Sequence, residues 1–107
     1  MKHLYCPEVE SLDALSVGLQ GAEKMKLKFL SEDSVWIEIE PGGHTPDHKH
    51  DDKERLVIIS GRGKIKLGEE LKEIHQNDFI EFHANELHQI INTSEELLVT
   101  MCFRNQP

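Results

Sequence analysis

Three histidines and one glutamate have a spacing that is suited to holding a metal ion. His48 and His50 are two residues apart, Glu54 follows four residues later, and His88 comes further along the chain. If this stretch is a regular strand, the first three side chains point to the same face. Three imidazoles and one carboxylate suit a divalent metal such as Fe, Mn, Ni or Zn, and they leave positions open for a ligand. We therefore predict one divalent metal ion and no organic cofactor.

Each part of this set has a simpler interpretation when it is taken alone. A His-X-His pair is common on exposed strands, and Glu54 lies in the mostly charged stretch 47–55. Two further histidines are candidate catalytic acids or bases, because an imidazole titrates near neutral pH. His44 shares the parity of His48 and could line the mouth of a barrel, or it could lie on the rim in a turn. His83 precedes the strand of His88 and could equally face solvent.

Short strands must position these side chains. Apolar and polar residues alternate with a period of two, turn residues separate the alternating segments, and no long stretch has helical periodicity. Residues 1–23 have no clear pattern and allow a short helix or an edge strand. We expect Pro41, Gly42 and Gly43 to end a strand and residues 60–63 to form a tight turn. The predicted strands are residues 24–29, 35–40, 56–59, 64–67, 71–74, 79–82, 87–92 and 97–103.

Length and charge restrict the classes of partner. The chain has 107 residues and a net charge of -8, which predicts one domain and argues against nucleic acid or an anionic membrane surface. A helix-turn-helix does not fit within residues 1–23. The apolar runs are too short to cross a bilayer and the N-terminus lacks a secretory signal, so we expect a cytoplasmic protein. Cys6 and Cys102 are then expected to be reduced thiols.

The region that contains the histidines resembles the cupin family. The first signature motif of that family is matched by Gly42, five residues, His48-Lys49-His50, three residues, Glu54, six residues and Gly61. The second motif is looser, but its His and Asn fall in register as His88 and Asn92. Asn77 and Asn85 stand where the family has glycine, and His83 stands where it has proline. Asparagine tolerates the left-handed backbone conformation, so both turns are expected to survive.

The resemblance extends over residues 35–103 and implies an all-β fold, the double-stranded β-helix or jelly-roll cupin barrel. Within a single cupin domain of residues 1–107, we expect residues 1–23 to form an N-terminal arm and residues 24–104 to form the barrel. The resemblance also implies that the metal ligands are His48, His50, Glu54 and His88.

A cupin fold does not determine the reaction, because the family includes dioxygenases, isomerases, decarboxylases, lyases and binding proteins. The leading hypothesis is a metal-dependent enzyme, of dioxygenase or isomerase/lyase type, that acts on a small polar or anionic metabolite. The alternative is a non-catalytic, metal-assisted binding or sensor protein for a small ligand. This alternative is favoured because few acids, bases or arginines are expected inside the barrel to assist a reaction. The chain's arginines, Arg55, Arg62 and Arg104, all lie in charged or turn contexts. Val57 and Ile59 are expected on the face opposite the ligands, where a monomer would carry polar residues. Because an exposed apolar surface is typical of a protein contact, we predict a homodimer.

Overall fold

The computed structural model describes residues 1–49, 51 and 53–104, and within them the regular structure is almost entirely β. Two 3₁₀ turns, Cys6–Glu8 and Leu15–Val17, are the helical segments in this part of the chain, and no helix there is long and apolar enough to cross a membrane. The predicted all-β fold is confirmed. The strands are β1 (Leu12–Asp13), β2 (Glu23–Phe29), β3 (Ser34–His44), β4 (Glu54–Ser60), β5 (Arg62–Leu67), β6 (Glu70–His75), β7 (Phe79–Phe82), β8 (His88–Ile91) and β9 (Leu98–Arg104).

One sheet of antiparallel strands curls on itself into the jelly-roll arrangement. Its order is β6-β5-β8-β3-β9-β4-β7, and β2 pairs with β1 and β3 beside this path. Strand β3 is the shared element, because its first half pairs with β9 while its last residue, His44, pairs with Ile91 of β8. Because β3 passes from one partner strand to the other, it brings β8 and the loop after β3 together at one end of the barrel.

The expected break at residues 41–43 is wrong, because β3 continues through them to His44. The register between β2 and β3 shifts here, so a β-bulge carries the strand past the irregular residues. Gly42 has a φ of +83°, and a Cβ on Gly43 would lie 2.6 Å from the carbonyl oxygen of Glu23. The glycines therefore permit close pairing instead of ending it. The predicted turn at residues 60–63 is likewise shorter, since a single residue separates β4 from β5.

The core lies inside the curled sheet and follows the alternation of the sequence. In β4, Leu56 and Ile58 are fully buried, whereas Val57 and Ile59 are half-buried on the opposite face. Ile39 of β3 and Leu98 of β9 complete the centre of the core. Burial of each such side chain contributes about 1.5–3 kcal/mol relative to exposure, so this apolar layer is the main support of the barrel.

The N-terminal arm packs against β2. On β2, Lys28 is buried, and its Nζ donates hydrogen bonds of 3.0 Å and 3.1 Å to the carbonyl oxygens of Cys6 and Pro7. These partners offset the desolvation of the ammonium group. The short strand β1 then pairs with β2, Leu12 opposite Leu27, and leads into residues 17–20 at the rim of the barrel cavity. The arm thus forms two 3₁₀ turns and a two-residue strand.

Candidate metal centre

A backbone bridge brings His48 and His88 together at the end of the barrel. The His48 N–H donates to the His88 carbonyl oxygen at 3.1 Å, and the His88 N–H donates to the His48 carbonyl oxygen at 2.9 Å. Their ring centroids are 4.7 Å apart. His88 begins β8, but His48 lies in the loop between β3 and β4. The condition that His48 and Glu54 lie on one regular strand is therefore not met, because Glu54 begins β4 and His48 is aligned by its bridge to His88.

Backbone carbonyls orient both imidazole rings. Nδ1 of His48 lies 2.6 Å from the carbonyl oxygen of Pro46, and Nδ1 of His88 lies 2.8 Å from that of Glu86. A carbonyl only accepts, so each Nδ1 must carry the proton and donate it. In the neutral tautomer, Nε2 then has the lone pair that a metal ligand needs. Hydrogen bonding of one ring nitrogen in this way is the usual support of a metal-binding histidine.

Glu54 completes a group of three candidate ligands. Its Oε1 lies 3.3 Å from Nε2 of His88, and one ligand atom from each of His48, Glu54 and His88 lies within 4.8 Å of the other two. Glu54 is 7% exposed and His88 is 1% exposed, so the carboxylate and imidazole face the interior. Two imidazoles and a carboxylate are the donor set of many divalent iron sites. Both the chemistry and the convergence of these residues fit a divalent metal.

An aromatic contact further restrains the ring of His88. The ring stacks on Phe82 of β7, with centroids 3.9 Å apart and an interplanar angle of 7°. Burial opposes protonation of His88, but the hydrogen bonds with Glu54 and with the Glu86 carbonyl outweigh it and raise the pKa of His88 above its usual value. Phe82 is a buried core residue that also adjoins the site. Its contact with a candidate ligand depends on the pairing of β4 with β7, which no local pattern reveals.

The remaining predicted site residues are placed as follows. His50 lies outside the described residues. The Nδ1 atom of His44 lies 3.0 Å from the Thr45 carbonyl oxygen and 3.2 Å from Nε2 of Gln89, and His44 is not among the residues that line the barrel cavity. The exposed His83 lines a separate surface cleft between β5, β6 and β7. The structure therefore brings neither catalytic candidate to the three converging ligands.

The three candidate ligands line one cavity of about 440 Å³ inside the barrel. This volume lies within the range of small-molecule sites. Cys102 also faces the cavity, and burial raises the pKa of its thiol far above the usual value, so it stays protonated at neutral pH. Cys6 and Cys102 are both free thiols.

Arg104 is exposed at the end of β9, but it also lines the cavity, which the charged or turn context expected for the arginines did not indicate. It is the last residue of β9 and pairs with Glu54 across the ladder. Paired residues on neighbouring antiparallel strands share a face. The alternation Leu98, Thr100, Cys102 already indicates which face of β9 points inward, and its continuation reaches Arg104. This periodicity was the signal that could have identified it.

The turns around the site behave as the sequence predicts. Asn77 and Asn85 adopt positive φ angles of 77° and 63°, which confirms that asparagine replaces glycine in both turns. Asn92 is buried and donates hydrogen bonds of 2.8 Å to the Ile39 carbonyl oxygen and 2.7 Å to the Glu96 carbonyl oxygen. It therefore stabilises the turn between β8 and β9 and is absent from the lining of the cavity.

Known proteins share this architecture. A polyketide cyclase from Streptomyces resistomycificus is 18% identical over 97% of this chain and 78% of its own, with a TM-score of 0.86. A predicted oxalate decarboxylase from Thermotoga maritima is 18% identical over 99% of this chain and 100% of its own, with a TM-score of 0.84. A domain of an XRE family transcriptional regulator from Enterobacter cloacae is 21% identical over 79% of this chain and 99% of its own, with a TM-score of 0.69. At these identities the likeness concerns the fold. The sequence profile described as "Cupin domain" matches residues 35–104, and the chain belongs to the cupin family.

Proposed function

We propose that this protein is a metal-dependent enzyme that acts on a small anionic metabolite in the barrel cavity. His48, Glu54 and His88 would hold one divalent metal ion, with His50 as a fourth ligand. The observation that carries this proposal is the convergence of two oriented imidazoles and one buried carboxylate on a cavity of small-molecule size. A bound divalent metal supplies Lewis acidity and a template for substrate oxygens.

The protein's own residues would prepare the site for such a ligand. The carbonyl oxygens of Pro46 and Glu86 fix the imidazole protons on Nδ1, and Phe82 restrains the His88 ring by stacking. The guanidinium of Arg104 provides positive charge on the cavity side of β9 and would attract an anion. The apolar wall of the barrel would keep water from the bound ligand and strengthen each electrostatic contact.

Within this class of enzyme, the cavity favours oxidation by dioxygen over isomerase or lyase reactions. Isomerases and lyases need a group that takes up and returns a proton beside the substrate. Among the described residues that line the cavity, the titratable groups outside the three candidate ligands are Cys102 and Arg104. Burial keeps the pKa of the Cys102 thiol too high for deprotonation at neutral pH, and a guanidinium remains protonated.

The metal site is tested by elemental analysis and calorimetry on the untagged protein. We expect one equivalent of Fe, Mn, Ni or Zn in the wild type, and its loss in His48→Ala, His50→Ala and His88→Ala. His75→Ala is the matched control, because His75 is an exposed histidine whose Nδ1 lies 3.8 Å from Asp78. A metal-free wild type that takes up none of these ions would refute the proposal. Loss of metal from His75→Ala as well would indicate an effect on folding.

The reaction class is tested with protein that is loaded anaerobically with Fe(II). Oxygen uptake is measured with a panel of aliphatic and aromatic monocarboxylates, and the products are followed by NMR. Uptake that depends on both iron and the carboxylate supports dioxygenation. Conversion without oxygen in the zinc or manganese form would support an isomerase or lyase instead. Binding without conversion in every metal form would indicate a binding protein.

A non-catalytic binding or sensor role is the alternative, and the scarcity of proton-transfer groups in the described cavity lining favours it. The structural likeness to the domain of a transcriptional regulator is compatible with such a role. The fate of the bound ligand distinguishes the two functions. A sensor retains its ligand unchanged over hours and alters its stability or its self-association on binding, whereas an enzyme releases a product.

We propose further that two copies pair through the outer face of the sheet. Trp36 of β3, Met101 of β9, Val57 of β4 and Phe79 of β7 form one row across four strands, because each is paired in register with the next. Phe79 is 62% exposed. A second copy related by a two-fold axis presents the same row to this surface, so the contact is self-complementary. Sedimentation equilibrium at micromolar protein tests the dimer.

A further inference from the structure

The cavity has an unequal distribution of polar and apolar side chains. The candidate ligands occupy one end, whereas β2 and β3 contribute Met25, Leu27 and Ile37 to the wall. The N-terminal arm adds Val17 and Leu19 at the rim. More than half of the lining residues are apolar, and the backbone amides and carbonyls of β2 and β3 are occupied by the ladder. Hydroxyl groups on a ligand would therefore find few partners along this wall.

Phe29 extends the wall outward from the end of β2. It pairs with Val35 of β3, and both side chains line the cavity. Phe29 is 52% exposed, although it continues the inward row of Met25 and Leu27. A large aromatic side chain at the mouth of a cavity provides apolar area that a ligand would cover.

One cation lies at the outer end of this wall, because the exposed Arg104 donates its backbone N–H to the carbonyl oxygen of Asp33, in the turn between β2 and β3, at 2.9 Å. Arg104 pairs with Glu54 across the β4–β9 ladder and lines the cavity. It is the sole Lys or Arg among the described residues that line the cavity. A single guanidinium recognises a carboxylate through two parallel hydrogen bonds. Glu54 carries the opposite charge beside it, so the described lining has no surplus of cations for a polyanion and suits a single anionic group.

We propose that the cavity selects a monoanion with an apolar body, such as a monocarboxylate that carries an alkyl or aryl group. Its anionic head is bound by Arg104 beside the candidate metal ligands, and its apolar body lies along the wall of β2 and β3, from the Phe29–Val35 pair inward to Ile37. This proposal rests on the proposed function, and it names the substrate class of the same cavity. It excludes sugars and polyhydroxy acids, whose hydroxyl groups would be buried without partners on this wall.

Calorimetry with a series of matched acids tests the ligand class. Acetate, butanoate and hexanoate differ in the number of methylenes, and we expect about fourfold tighter binding for each methylene that is buried. Gluconate has six carbons and one negative charge, like hexanoate, but it carries five hydroxyl groups, so we expect binding at least about tenfold weaker. Hexanamide lacks the charge, and 3-phenylpropanoate distinguishes an aryl from an alkyl body. Equal or tighter binding of gluconate would overturn the proposal.

Two substitutions separate the apolar wall from the cation. Phe29→Ser should weaken hexanoate binding and leave acetate binding nearly unchanged, whereas Phe79→Ser, on another strand and outside this cavity, should alter neither. Arg104→Gln should remove the preference of about tenfold or more for hexanoate over hexanamide. Arg62→Gln, on the exposed part of β5, is its control.

Val35→Thr preserves the shape of the side chain and provides a second test of the wall should Phe29→Ser fold poorly. Unchanged hexanoate affinity in folded Arg104→Gln, or in both wall variants, would overturn the assignment.

Measurements on metal-free and metal-loaded protein separate this proposal from the proposed function. The dependence on methylene number arises from the wall, so it should appear in both forms. If the wild type takes up no metal but shows the dependence, the metal proposal fails and the ligand class stands. If metal binds and hexanoate gains nothing over acetate, the ligand class fails and the metal proposal stands.

Discussion

The two faces of strands β4 and β9 depart from the usual pattern in opposite ways. An antiparallel sheet that packs on a core normally carries apolar residues inside and polar residues outside. Here the inner face includes Glu54 and Arg104, whereas the outer face includes Val57 and Met101 in one register. A buried carboxylate costs free energy unless it is paired, and an exposed apolar row is a typical contact surface. The contact of Glu54 with His88, 3.3 Å away, offsets part of that cost. We expect each inversion to mark a contact, with the proposed metal ion inside and with a second copy outside.

The largest expected effect comes from the inner carboxylate. Loss of a residue that only orients a metal ligand weakens metal binding by about 10–100-fold. Glu54→Gln removes the charge of a proposed ligand itself, so we expect it to weaken metal binding by about 1,000-fold or more. Glu81→Gln is the matched control, because this carboxylate lies on the outer face of the neighbouring strand β7, 2.8 Å from Nε of Arg55. Competition with a fluorescent chelator measures both affinities. Equal affinities in the two variants would show that Glu54 is not a ligand.

A second contrast concerns stability and uses adjacent residues of β4. Leu56 is fully buried, and Leu56→Ala should lower the free energy of unfolding by about 3 kcal/mol, because it leaves a cavity in the core. Val57 is half-buried on the other face, and Val57→Ala should cost about 1 kcal/mol or less in the monomer. Urea unfolding of dilute protein gives both values. Equal losses would mean that the outer face is packed as tightly as the core.

Much of this two-faced arrangement was predictable from the sequence. The alternation in residues 24–29 and 35–40 follows directly from the period of a strand, and it predicts β2 and the first half of β3. The positive φ angles of Asn77 and Asn85 were also predictable, because asparagine tolerates the conformation that glycine provides elsewhere. These features depend on local chemistry, which a single sequence contains.

Features that depend on pairing between distant segments were not predictable in the same way. Pro41, Gly42 and Gly43 have the composition of a strand end, but they continue β3 because β2 approaches closely and a bulge absorbs the mismatch. The alignment of His48 with His88 comes from a bridge between segments forty residues apart. The alternation in β9 indicates the face of Arg104, but its position beside Glu54 depends on the register between β9 and β4. Such long-range contacts are set by the packing of the whole barrel.

The outer row predicts a smaller effect, on self-association. Trp36→Ala removes the largest side chain of the row, and we expect the dimer dissociation constant to rise by about 30-fold, equivalent to about 2 kcal/mol for a central aromatic contact. Tyr5→Ala is the control, since Tyr5 is an exposed aromatic residue of the N-terminal arm. Sedimentation equilibrium measures both constants. A wild-type protein that is monomeric at micromolar concentration would contradict this use of the outer face.

The smallest expected effect is the pH dependence of an outer ion pair. The hydrogen bond from Arg55 lowers the pKa of Glu81 below its usual value, so folding favours the charged form. The resulting stability is present above the pKa of the unfolded chain and is lost as pH falls through the lowered pKa of the folded protein. Glu81→Gln should therefore be slightly less stable than the wild type at pH 7, and this difference should disappear in acid. Because both side chains are partly exposed, the difference at pH 7 should also shrink in high salt. Urea midpoints of both proteins at pH 7 and in acid, with and without added salt, measure this difference in stability. A difference that persists in acid would show that Glu81 stabilises the sheet through packing instead of charge.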